Sequence, residues 1–171
     1  MTSTKQHTPT TDPWGRPIID GQPRFGPLDG DETRWPAVPM RVRTEEDVVA
    51  CAAAFARAFS SEYFYTVWLL AVDPAGVAAL LAAELLDMPP EPPSGGLRAE
   101  ALGEFAAQVH SLGPGSSLVV ALASHDGGDR GRRERAWSRA VLDAAAECGL
   151  AVRGVVAVGA ARARLLYHQS P

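Results

Sequence analysis

The apolar positions of this chain follow two periods. After Thr44, Val48, Ala52, Phe55 and Phe59 recur at the three-to-four-residue spacing of one helix face. Thr44 and Asp47 precede that stripe at capping-box spacing, in which hydroxyl and carboxylate take up free amides of the first turn. The next stretch, EYFYTVWLLAVD, is rich in aromatic and β-branched residues and ends in Asp73-Pro74-Ala75-Gly76, which predicts a buried strand and a turn. VAALLAAELLDM admits two readings. Its alanines and leucines favour helix, whereas its place after a short turn suits the second strand of a hairpin. PPEPPSGG, over 89–96, reads as a loop. Leu97, Ala101, Leu102, Phe105, Val109 and Leu112 then form a second helical stripe, stopped at Gly113-Pro114-Gly115.

SSLVVALAS is an unbroken apolar run of strand length, as expected of a central strand covered on both faces. It should lead directly into a loop over 125–131, HDGGDRG. Beyond it, RRERAWSRAVLDAAAECG places Trp137, Ala140, Val141, Ala144 and Cys148 on one helix face with Gly149 as the stop. VRGVVAVGAARARLLYHQ gives two short strands about a turn at Gly159. The predicted fold class is therefore α/β, a single domain over 41–171 with a mixed central sheet flanked by helices. Residues 1–40 differ. Prolines at 9, 13, 17, 23, 27, 36 and 39 interrupt helix and ladder bonding alike, predicting an irregular N-terminal arm. Trp14, Ile18, Ile19 and Trp35 within it are apolar enough to dock on the domain or on a partner.

Composition narrows the functional classes. The chain has 171 residues, of which 46% are hydrophobic, and a net charge of −4, so bulk electrostatics advertise neither nucleic acid nor a membrane surface. The N-terminus has no apolar leader core, and no run of about 20 apolar residues predicts a membrane span. A cytoplasmic setting is the expectation. The two cysteines, Cys51 and Cys148, lie on different helices among alanines and read as small buried hydrophobes.

The strand-to-loop stretch SSLVVALASHDGGD carries a resemblance. In RadC-like JAB (MPN) domains a buried strand enters a metal-binding loop of the form H-N-H-P-S-G-D, and ASHDGGD at 123–129 lies over it without a gap. His125 falls on the second histidine, and Gly128 and Asp129 on the glycine and aspartate. Gly149, Leu150, Val152, Val156, Val158 and Gly159 match the later stretch of the family pattern, and the similarity spans roughly residues 42–167. The chain thus resembles a RadC-like JAB domain. That resemblance implies a zinc hydrolase fold, and a family associated by name with DNA repair.

The resemblance also implies which residues would hold the metal, and here the chain departs from it. A hydrolytic zinc needs about three protein ligands and a water. The first histidine position is Ala123, the serine position Arg133 and the metal-aspartate position Ala136. The upstream catalytic glutamate falls on Glu84. What remains is a possible irregular metal site from His125, Asp126 and Asp129, with Glu84 as the acid–base group, or no site at all. The expected function is therefore a metal-site-degenerate domain that binds or scaffolds another protein, with no cofactor unless zinc is held by the irregular site. Two alternatives stand beside it: an active JAB-type zinc hydrolase, and a nucleic-acid-associated accessory protein. The latter would use Arg130, Arg132, Arg133 and Arg135, assisted by Arg153, Arg162 and Arg164. GPGSS precedes a strand and so lacks the context of a phosphate-binding loop.

Overall fold

The computed structural model describes residues 40–59, 65–85, 88–93 and 99–169. The proline-rich segment thus lies, apart from Met40, outside the described residues. Helix α1 spans Glu45–Phe59. It starts as its capping box dictates. The Asp47 amide donates to Thr44 Oγ1 at 3.2 Å, while Asp47 Oδ2 accepts from the amides of Arg43 and Thr44, both at 2.9 Å. Those backbone donors hold the Asp47 carboxyl below the ordinary carboxylate range.

Strand β1 (Thr66–Val72) and strand β2 (Ala78–Leu85) form an antiparallel hairpin, which settles the ambiguous alanine-leucine stretch as strand. Pairing overrides propensity here because the segment has apolar neighbours on both faces: Ala83 and Leu85 pack to one side and Ala82 to the other. Within the turn, Asp73 Oδ1 accepts from the Val77 amide at 2.8 Å. Helix α2 (Ala99–Ser111) leads to β3 (Ser117–Ala123), and helix α3 (Arg132–Glu147) leads to β4 (Ala151–Val158) and β5 (Ala163–His168).

The five strands form one mixed sheet in the order β2-β1-β3-β4-β5. Among the described strands only β3 and β4 are parallel, and the crossover such a pair requires is supplied by α3. Every residue of β3 is buried, with Val119 and Val120 fully so, as its unbroken apolar run predicts. Two cores result. Helix α1 covers one face, placing Val48, Ala52 and Phe55 against Trp68, Leu70, Val119, Ala121 and Val156. Helices α2 and α3 cover the other, where Leu102, Phe105, Val109, Trp137, Val141 and Ala144 meet Leu69, Val120, Leu122 and Val155. The protein is thus α/β, with helices on both faces of a mixed sheet.

Cys51 lies buried in the α1 layer and Cys148 at the margin of the other core, neither of them in a disulfide. Burial, aided by the charge of Asp47, pushes the Cys51 thiol up to about 11. Among the described residues no helix is long and apolar enough to cross a membrane.

Candidate functional site

The loop from Ser124 to Gly131 leaves the carboxyl end of β3, beside the carboxyl end of β4. Ala123 and Val158 are register partners, so the two outgoing loops start side by side. They are then stitched together through their backbones. Ser124 N donates to Val158 O at 3.0 Å and Ala160 N to His125 O at 3.1 Å, while Gly159 N, bonded to Arg162 O at 2.8 Å, closes the second loop on itself. Glycine makes this approach possible. A Cβ on Gly159 would stand 2.1 Å from Gly127 O, and one on Gly128, whose φ is +89°, 2.4 Å from Arg162 O.

This geometry disperses the side chains proposed as metal ligands. His125 and Asp126 are exposed, and the recorded partner of His125 is a backbone amide at its own carbonyl. Asp129 is engaged by two cations: it accepts from Arg162 Nη2 at 2.5 Å and lies 4.0 Å from Arg164 Nε. Glu84 sits apart from all three. It is buried on β2 opposite Trp68, which in turn faces Ala121 of β3. Two strand spacings, roughly 10 Å, separate it from β3, and His125 lies further along the chain still. Among the described residues no three His, Cys, Asp or Glu side chains gather as a metal ion would require.

The positions at which the resemblance calls for ligands are filled by packing. Ala123 is buried, 2% exposed, in the α1 layer, paired with the fully buried Thr66. Arg133, at the serine position, lies with its guanidinium carbon 3.6 Å from the centre of the Tyr65 ring. It also donates from Nη2 to Met88 O at 3.3 Å. This cation–π contact is sheltered: the Arg133 Nε and the Tyr65 hydroxyl are both buried with no hydrogen-bond partner among the described residues. Burial, with the Glu134 carboxylate adding to it and Arg133 opposing, pushes the Tyr65 phenol far above its ordinary value, so the ring stays neutral. Next to it, Trp137 Nε1 donates to Pro89 O at 3.0 Å.

The arginine run of 130–135 divides between two sides of the α3 N-terminus. Arg132 pairs with Glu91 at 3.0 Å and Arg133 turns to Tyr65 and Met88, both toward the 88–93 segment. Arg130 Nε instead reaches Leu165 O of β5 at 3.0 Å, and Arg135 donates to Arg130 O. Arg153 lies elsewhere, bonded to Val42 O. Sequence reasoning missed two participants, Tyr65 and Arg57, whose partners come from distant segments. Arg57 Nε, at the end of α1, donates to Gly159 O at 3.4 Å.

Compared with known protein families, curated proteins and solved structures, the chain shows no match to any of them.

Proposed function

We propose that this chain is a RadC-like JAB domain whose metal constellation has been replaced by packing, and that it works as a binding or scaffolding module for another protein. The observation that carries the reading is Arg133. Where the family keeps a small hydroxyl near the metal, this chain has a guanidinium seated on Tyr65 and tied to the 88–93 segment. A cation stabilised there opposes a second cation beside it. Ala123, a methyl group at the first histidine position, adds to this, as does Asp129, which is already neutralised by arginines. The element order supports the fold half of the reading: helix, hairpin, helix, then a buried strand entering a glycine-rich loop and a crossover helix. A protein partner would find at β5 a sheet edge with no strand paired to it among the described residues, carrying the half-buried Leu165, Leu166 and Tyr167.

Restoring the ligands tests the correspondence. The triple variant Ala123→His, Arg133→Ser, Ala136→Asp is expected to take up about one zinc per chain in a zinc titration, and to lose it when His125→Ala is added. A triple variant that keeps its α/β circular dichroism spectrum yet takes up no zinc would overturn the residue-by-residue correspondence with the JAB site.

A further inference from the structure

Five arginines from three stretches of the sequence lie at one end of the sheet. Arg57 comes from the end of α1, Arg130 from the β3–α3 loop, Arg135 from the first turns of α3, Arg162 from the β4–β5 turn and Arg164 from β5. All five are exposed. Among the described residues three carboxylates share the region. Asp129 links Arg162 to Arg164, Glu134 lies over Gly131, and Asp126 is exposed on the loop. The excess is positive, in a chain whose total charge is −4. At ordinary salt the field of more distant acidic groups is screened within about 10 Å, so this end of the molecule presents its own sign.

Three of these guanidiniums are held by carbonyl oxygens rather than by acids. Arg57 donates to Gly159 O, Arg130 to Leu165 O and Arg135 to Arg130 O. A neutral acceptor fixes the fork without cancelling its charge, and each guanidinium has five N–H donors, so most of them stay available. The stitched glycine loops underneath supply a rigid base. That is the preparation a phosphate-binding surface needs: oriented planar forks whose ordering cost is already met.

We propose that this arginine crest binds the phosphate backbone of a nucleic-acid strand. The cations come from five separate elements around the β4–β5 turn, which suits successive phosphates along a strand better than one small anion. The turn between them, Gly159-Ala160-Ala161, carries no large apolar side chain to enter a bilayer. The inference is independent of the JAB resemblance and replaces the contiguous 130–135 run, of which it keeps Arg130 and Arg135.

The test is fluorescence anisotropy of the full chain with a labelled single-stranded 20-mer DNA at low salt. Binding is expected, weakening with salt with a log–log slope of about −3 if four phosphates are neutralised. The double variant Arg162→Glu, Arg164→Glu is expected to lose about tenfold or more in affinity and to flatten that slope. Arg57→Glu, which frees no carboxylate, should weaken binding in the same direction. Arg132→Glu, whose native guanidinium is paired with Glu91 and not joined to the crest, should bind as the native chain does. No binding at low salt, equal loss in Arg132→Glu, or native affinity in both crest variants would overturn the proposal. So would tighter binding to anionic lipid vesicles or to polyglutamate than to the DNA.

Discussion

Gly159→Ala is expected to cost at least ~3 kcal/mol of stability, visible as a large fall in melting temperature. The added methyl would stand 2.1 Å from the oxygen and 2.5 Å from the carbonyl carbon of Gly127, distances that require backbone to move. Neither side can retreat cheaply. Gly127 is held by its amide bond to Ser124 O, and the strand following Gly159 is held by the bonds of Gly159 and Ala160. Gly128→Ala is expected to act in the same direction for two reasons, a positive φ and a Cβ 2.4 Å from Arg162 O. Gly103→Ala provides the contrast. It lies on the exposed side of α2 with nothing within 4 Å of its Cβ position, and should stabilise the helix by ~1 kcal/mol. A Gly159→Ala protein that melts with the native one would show that the two loops are not apposed.

Trp137→Ala is expected to destabilise by about 3–5 kcal/mol, a large share of the ~5–15 kcal/mol that holds a domain together. Trp137 is 1% exposed at the centre of the α2–α3 core, and its indole N–H is also the tie to Pro89. Removing the ring opens a cavity and releases the segment that Arg132 and Arg133 grip through Glu91 and Met88. Trp137→Phe should separate the two contributions. It keeps most of the volume and loses the hydrogen bond, which is worth about 1 kcal/mol. Urea unfolding of the three proteins measures both steps. A Trp137→Ala chain with native stability would mean that α3 is not packed on the sheet as described.

The features legible in the sequence were those whose cause is local. Thr44 and Asp47 announce a helix start because both halves of the capping box lie within one turn. SSLVVALAS announces a central strand because burial on both faces leaves no polar alternation. The alanine-leucine stretch of β2 could not be settled in this way, since its intrinsic preference is for helix and only its pairing with β1 makes it a strand. The site was less legible still. The stacking of Arg133 on Tyr65 joins residues far apart in the chain, and no periodicity marks either of them. The run of 130–135 reads as one basic cluster on paper, yet successive positions at a loop-to-helix junction point to different sides. Its true neighbours, Arg57, Arg162 and Arg164, arrive through sheet topology. Glu84 illustrates the same point in reverse. Its place on β2, two strands over from β3, is set by strand pairing and carries no local signal in the sequence.

The central claim is that packing and arginines occupy the positions where a JAB-type zinc would be held. Zinc content measured on the native protein, purified without added metal, tests it most directly when paired with the same measurement on His125→Ala. One imidazole and carboxylates dispersed by the fold give too few ligands to compete with water. The predicted result is far less than one zinc per chain in both proteins, with identical folding. About one zinc per native chain, lost in His125→Ala, would contradict the account and favour the zinc-hydrolase reading.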